Sequence, residues 1–355
     1  MMAIPTECDV LVIGAGPAGS TTARNIAKDG IDVVLIDKRK ELGLPVQCAE
    51  HIPFQVAHFT DSKKEIIAQK INYMHTAMPN GDITITESKG YIIHRDLFDK
   101  YLAEKAREIG THVFTKTEAL GIHRNKVKIR EGKQEQFISP RIIVDASGPK
   151  SVMGKSLGIY NTTYIYANQF LMPLKEKRDF TEVYFRNYIP GGYGWVFPKD
   201  DVCNVGVGVS LKFGIPPREA LKNFVKELLN QDIISNKKLA IIAGLIPAGG
   251  LLPLHKENIL FVGDAAGQCH SITGAGVPFA LLCGQLAGKY VVEAVQEEDL
   301  EILKEYEEEC IDSFSDSLML AVKKRKFFES YWNNPQRDFN EIVKKTWVVF
   351  EDYYE

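Results

Sequence analysis

The sequence predicts an α/β protein, α+β overall, in which a parallel sheet is interleaved with a mainly antiparallel one and a helical segment follows. Three observations carry this. Asp9–Ile13 and Ile31–Ile36 are apolar, β-branched runs joined by a glycine-rich turn and a helical stretch, the pattern of a βαβ unit with its strands buried on both faces. Ile71–Arg95 and Tyr164–Val209 alternate in polarity and turn at Pro79–Asp82, Pro190–Gly192 and Pro198–Asp201, as antiparallel strands do. After Glu301 the text is helical, charged and aromatic.

The elements follow in order. A helix opened by Gly14–Gly19 runs to about Asp29, and Gly30 ends it. A second helix is expected from Asp96 to Gly110, a buried strand from Arg141 to Val144 closing on Asp145–Gly148, and another from Asn258 to Val262 closing on Gly263 and Asp264. A long apolar helix then runs from near Gly276 toward Glu298. The two sheets therefore alternate along the chain. Residues 1–70, 91–160 and 255–300 are expected to form one discontinuous domain, 71–90 and 161–254 the substrate-binding domain, and 301–355 a C-terminal helical segment.

Composition narrows the function. A chain of 355 residues, 45% hydrophobic and 25% charged, has the length of about two globular domains and core enough to enclose a large ligand. With 43 basic and 46 acidic side chains the net charge is -3, so no basic field argues for nucleic acid. The six cysteines are scattered without a CxxC pair or His/Cys cluster, which fits reduced thiols in a cytoplasmic protein and no metal site. Met1–Asp9 lacks a secretory pattern, and the apolar stretch Leu239–Leu254 is broken by Gly244, Pro247, Gly249, Gly250 and Pro253. No membrane span is expected, though peripheral membrane contact stays open.

Gly14, Gly16 and Gly19 form GxGxxG between a strand and a helix, the setting in which this spacing binds a dinucleotide. The first glycine makes the turn, the second admits a pyrophosphate, and the third lets the helix pack closely; Pro17 and Ala18 open the helix whose amides hold the anion. Asp37, 23 residues beyond Gly14 and followed by Lys38, is placed to accept from ribose hydroxyls. This much is a Rossmann-type domain, and it does not separate NAD from FAD. A second strand end does. Gly263 and Asp264 put a carboxylate where a ribityl chain would lie, and Gly274, Ala275, Gly276 and Val277 open a helix whose positive end suits the flavin edge that gains charge on reduction. Two such pockets make FAD the economical cofactor.

Four motifs now stand in order: Gly14–Gly19, Arg95 within Ile93–Leu97, Asp145–Gly148, and Gly263–Asp264. Together they resemble the flavoproteins related to p-hydroxybenzoate hydroxylase, and the resemblance implies that Arg95 approaches the FAD phosphates or ribityl. Within that superfamily, Tyr193-Gly-Trp195-Val-Phe197-Pro198, with Gly206 and Gly208 after it, is similar to the YxWxFP and GxG signature of the geranylgeranyl reductase family. Membership implies reduction of isoprenoid carbon–carbon double bonds by reduced FAD. Tyr193, Trp195, Phe197, Gly206 and Gly208 then form a flat apolar wall for an isoprenoid or lipid-like substrate, although alternating aromatics also fill any β layer.

Cys48 matches a cysteine that archaeal members carry close to the flavin, where a thiol could donate a proton or shape the pocket. Ala49 stands where members often have glycine, and Ala275 where the usual pattern has an acid. His51 and His270 are the histidines nearest the presumed flavin loops and are left out of the catalytic set. A flavin monooxygenase or halogenase on the same scaffold, or a non-enzymatic flavin redox or membrane-binding protein, are the alternatives. No second fingerprint marks an electron donor, which leaves NAD(P)H or a ferredoxin-like protein. In the tail, Lys323–Lys326 beside Phe327, Phe328, Tyr331 and Trp332 suit either an anionic lipid surface or a helix docked on its own domain.

Overall fold

The computed structural model describes residues 3–334 and 336–355. It begins with β1 (Glu7–Ile13), α1 (Pro17–Ala27), β2 (Val33–Ile36), β3 (His51–Pro53), β4 (Ile67–Ala77) and β5 (Ile83–Ile93). Helix α2 (Arg95–Glu108) leads to β6 (His112–Phe114), β7 (Thr117–His123), β8 (Lys126–Glu131) and β9 (Gln134–Asp145). After α3 (Val152–Leu157) come β10 (Tyr164–Pro173), β11 (Phe180–Tyr184), β12 (Gly194–Lys199), β13 (Val202–Val209), α4 (Pro217–Asn230) and β14 (Ala240–Pro247). The chain closes with β15 (His255–Lys256), β16 (Ile259–Phe261), α5 (Val277–Gln296), α6 (Leu303–Asn333) and α7 (Phe339–Thr346).

One sheet has the order β15-β16-β9-β1-β2-β6, parallel from β16 to β6. Val10–Val12 and Val33–Ile36 are fully buried in it. Each such side chain contributes roughly 1.5–3 kcal/mol by leaving water. Strand β9 does double duty: its second half runs parallel to β1, and its first half pairs antiparallel with β8, which pairs with β7. Helix α5 lies close on α1 because Gly284 and Gly288 leave no side chain between them; a Cβ at Gly288 would stand 2.5 Å from that of Asn25.

The other sheet has the order β14-β10-β13-β12-β11-β4-β5-β3, with β11–β4 its one parallel pairing among the described residues. One face buries Val196, Val205 and Val207 against Leu221 and Phe224 of α4. The opposite face buries Val183, Trp195 and Phe197 with Phe328 of α6, Phe339 of α7 and Trp347.

Two boundaries differ from the sequence reading. The breaks expected at residues 70 and 90 fall inside strands, since β4 begins at Ile67 and β5 continues to Ile93. His51–Pro53, expected in the first domain, pairs with β5 in the second sheet. The turn at Pro79–Asp82 marks the tip of the β4–β5 hairpin, but nothing local marks its base, and three residues are too few to show a period.

Candidate active site

The loop from β1 to α1 is shaped by close backbone approach. Gly14 has φ +99°, and a Cβ there would stand 2.4 Å from the Ala146 carbonyl oxygen; one at Gly19 would stand 1.9 Å from the Gly14 carbonyl oxygen. At Gly16, by contrast, the space is open. Pro17 supplies the first helical position, and no acidic side chain lies in the first turn of α1. Asp37 is already engaged: Oδ2 accepts from the Ala15 amide at 2.9 Å and Oδ1 from the Arg39 amide at 2.8 Å. Each oxygen keeps a second lone pair for a hydroxyl. Lys38 follows it at the exposed rim.

A second cluster forms where β16 ends. Gly263, at φ +69°, brings this turn against Ala18, so the two glycine loops that lie far apart in the chain meet. Asp264 Oδ1 lies 3.1 Å from where a Gly276 Cβ would be. Burial pushes the Asp264 carboxyl up to about 6, with the Arg95 guanidinium pulling the other way. No side chain caps α5 and none in its first turn is acidic, so the Val277 and Phe279 amides on either side of Pro278 are unclaimed by a carboxylate. Arg95 Nε and Nη2 donate to Asp99 at 2.9 and 3.1 Å. Burial disfavours its charge, but Asp99 and then Cys48 more than offset that, so its proton is held more tightly than usual. The Asp145 carboxylate organises its own turn, accepting from the Ser147 and Met153 amides and from the Ser151 hydroxyl.

The second sheet reaches this cluster through the Cys48 loop. Cys48 Sγ accepts from the Glu50 amide at 3.2 Å, and the Cys48 carbonyl accepts from Gln169 Nε2 at 3.3 Å. Gln169 Oε1 in turn accepts from Trp195 Nε1 at 2.8 Å. Glu50 is buried and accepts from three elements: the Arg95 amide at 3.0 Å, Lys199 Nζ at 2.7 Å and Asn204 Nδ2 at 2.9 Å. Gln169, Glu50, Lys199 and Asn204 were not singled out from the sequence. Asn204 stands two residues before Gly206 of the GxG in β13 and Glu50 follows Cys48 by two, but Glu50 lies more than a hundred residues from Lys199 and Asn204.

Tyr193, Trp195 and Phe197 share one face of β12 and its lead-in, with ring centres 6.0 and 6.3 Å apart. The glycines beside them have a packing reason: a Cβ at Gly206 would stand 2.2 Å from the Trp195 indole, and one at Gly208 2.9 Å from Ile165. The indole occupies the space a side chain would fill. The wall is covered, with Trp347 5.1 Å from Tyr193 and Phe328 5.8 Å from Phe185. A cavity of about 10 Å³ remains between Tyr193, Ile272 and Phe328.

Both histidines are neutral at pH 7, since burial lowers each to about 4. His270 is a pin: Nδ1 accepts from the Thr273 amide at 3.2 Å and Nε2 pairs with the Tyr353 hydroxyl at 3.2 Å. The His51 ring lies tilted by 57° with its centre 5.7 Å from that of Phe197, and its Nε2 has no hydrogen-bond partner among the described residues. Arg325 of α6 donates to the Ser271 carbonyl at 2.7 Å and to that of Gly191, tying the tail to both sheets. Phe328 and Tyr331 are also buried, so one face of this stretch docks inward, while Lys323, Lys326 and Phe327 stay exposed on the other.

Comparison with known proteins agrees with this geometry. Residues 9–156 match the family model "FAD dependent oxidoreductase" and residues 163–246 the "Geranylgeranyl reductase catalytic domain". The chain is 35% identical to digeranylgeranylglycerophospholipid reductase 1 of Methanothermobacter thermautotrophicus over 92% of its own length and 88% of that protein. It belongs to the geranylgeranyl reductase family of FAD-dependent oxidoreductases. A geranylgeranyl bacteriochlorophyll reductase-like protein from Thermoplasma acidophilum superposes with a TM-score of 0.87 at 27% identity, covering 97% of this chain and 92% of that one. The flavin-dependent halogenase CmlS shares the fold, with a TM-score of 0.73 at 17% identity over 96% of this chain and 68% of its own.

The residues fit the cofactor of this family. An open backbone over Gly16, two helix N-termini clear of acids, and the half-buried Asp264 carboxylate make a cradle that would suit a long anionic dinucleotide with a polar tail. Asp264 half-buried beside Gly276 is costly without a partner, and a ribityl hydroxyl would supply one.

Proposed function

We propose that this FAD-dependent oxidoreductase reduces carbon–carbon double bonds of an isoprenoid chain on a lipid. The observation that carries the reading is the convergence on one point of the apolar wall Tyr193–Trp195–Phe197, the Cys48 loop and the acid-free start of α5. The name of the Methanothermobacter relative, a reductase of a digeranylgeranyl lipid, supports it. Bound FAD in its reduced form supplies hydride. Gly14, Gly16, Gly19 and the amides after Pro17 and Ala18 hold its pyrophosphate, Asp37 and Lys38 the adenosine end, Gly263 and Asp264 the ribityl chain, and Gly274–Val277 the flavin edge.

The chain's own work is alignment and exclusion of water. Trp195, fixed by Gln169 and seated over Gly206, is a rigid flat surface that asks for no hydrogen bond, and the alkene would reach it by displacing the cover of Trp347 and Phe328. Cys48 is the proton donor to the second carbon, with its loop clamped by Glu50 and Gln169. Arg95 holds its positive charge beside Asp99 and Asp264, where it would also stabilise the thiolate left when Cys48 gives up its proton. The electron donor is NAD(P)H or a ferredoxin-like protein.

Anaerobic incubation of the reduced enzyme with geranylgeranyl compounds should give products heavier by two hydrogens and oxidised flavin, with each donor class tried in turn. Flavin that stays reduced without product would count against the reading. Oxygenated or halogenated product formed with rapid oxygen uptake would favour the monooxygenase or halogenase alternative.

A further inference from the structure

Strand β14 is the open edge of the second sheet, and residues 236–241 ahead of and within it are exposed without interruption. Leu239 and Ile241 are 45% and 76% exposed, an unusual position for two large aliphatic side chains in sequence neighbourhood. Lys237 and Lys238 directly precede them. Lys238 Nζ lies 4.4 Å above the Phe170 ring, and the acid nearest in sequence, Asp232, pairs with Lys175 instead.

The other end of the strand touches the site. Ile246 Cδ1 lies 3.3 Å from where a Gly274 Cβ would be, and Gln47 Nε2 donates to the Ala243 carbonyl at 3.3 Å. Ile242, Gly244 and Ile246 pair with Gln169, Ala167 and Ile165, so they share the face on which Gln169 holds Trp195. From Ile242 to Ile246 this apolar track spans about 13 Å at 3.3 Å per residue.

We propose that β14 docks on an anionic lipid bilayer, with Leu239 and Ile241 entering the interface, Lys237 and Lys238 facing the headgroups, and the Ile242–Ile246 face leading the chain of a membrane-held substrate to the Gly274 loop. The inference rests on the lipid substrate proposed above and names the surface from which it is drawn. Paired lysines beside exposed aliphatics match anionic headgroups over acyl chains. A second copy of this chain fits the same edge less well, because Gln47 already occupies the outward carbonyl of Ala243 that a ladder would need.

The test uses the FAD-loaded full chain, sedimented with vesicles of equal parts phosphatidylglycerol and phosphatidylcholine and with phosphatidylcholine alone. Wild type should favour the anionic vesicles and lose them at high salt. K237E/K238E should weaken binding about thirtyfold, from roughly 1 kcal/mol per lysine. L239E/I241E should abolish binding while retaining bound flavin, unchanged turnover of a short water-soluble isoprenoid and reduced turnover of a vesicle-embedded one. Equal vesicle binding by wild type and both variants overturns the proposal, as does a wild-type dimer that L239E/I241E splits with no vesicle binding in either. Absent turnover of the soluble isoprenoid by wild type would instead count against the substrate reading, and the vesicle arm would still decide the docking surface.

Discussion

The two sheets build their halves of the site from different materials. Around β1 and β16 the geometry is made by backbone: Gly14, Gly19 and Gly263 bring main chain within distances no side chain could tolerate, and helix ends supply the polarity. On the second sheet the geometry is made by side chains whose partners are distant in sequence, such as Trp195 on Gln169 and Lys199 on Glu50. A backbone device is marked by glycines at a fixed local spacing, even where its partner is distant, as with Gly14 on Ala146. A side-chain device exists only once the chain has folded, and it can be rewired by any element packed on it. The first half is therefore suited to a fixed cofactor and the second to a changeable substrate.

The seam between them should be the most sensitive place. Glu50→Ala leaves Lys199 buried without its counter-charge and frees the first amide of α2, which should cost about 3–5 kcal/mol. The thermal midpoint and FAD content of the variant should fall together. A variant as stable as wild type would mean that the seam is not held by this pair. Gly19→Ala addresses the backbone half alone. Its Cβ would have to displace the Gly14 carbonyl from 1.9 Å, at about 3 kcal/mol or more, and the purified protein should come out colourless. Retained yellow flavin would break the contrast drawn between the two sheets.

The same contrast explains what could be read in advance. The βαβ unit, the GxGxxG loop, Asp37 and Asp264 lie at or between ends of apolar strands, and each is recognisable from its order and spacing along one local stretch of chain. The aromatic signature was also visible, but the cover that Trp347 and Phe328 place over it was not, since both come from a tail more than 130 residues later. Glu50, Lys199 and Asn204 were passed over because a cluster of polar side chains drawn from three strands and loops leaves no period in the sequence. The short strand β3 was missed for the same reason, and β4 and β5 proved longer than their turn signal implied. His51 and His270 were left out of the catalytic set, and their burial, which lowers both to about 4 and which sequence cannot show, keeps them neutral at pH 7.

Asp264 sharpens the comparison by pH. Its carboxyl titrates at about 6 in the FAD-free fold against 3.8 unfolded, so the folded state binds the proton more tightly. Wild-type stability must then decline relative to an Asn variant as pH rises from about 4 to about 6, and stay lower above that. Asp264→Asn should stabilise the FAD-free protein at pH 7 by up to about 3 kcal/mol and lose that advantage below pH 4. The same variant should bind FAD more weakly. Gains in both would remove Asp264 from the cofactor site, whereas opposite signs mark a residue kept for its ligand at the expense of the fold.

The smallest effect is expected where the tail meets the flavin-side loop. The Thr273 amide donates to Nδ1 of His270, which places the imidazole proton on Nε2, and that proton is donated to the Tyr353 hydroxyl. Tyr353→Phe removes the acceptor and leaves a buried N–H unpaired, at about 1–2 kcal/mol. Because His270 carries the turn into Gly274–Gly276, the loosened ring should also move the flavin absorption maximum by a few nanometres while leaving FAD content intact. A stability loss with an unchanged spectrum would show that the tail only buttresses the fold. A spectral change with little loss would show that a side chain near the end of the chain sets the position of the backbone half, and the division between the two halves would then be less clean than their construction suggests.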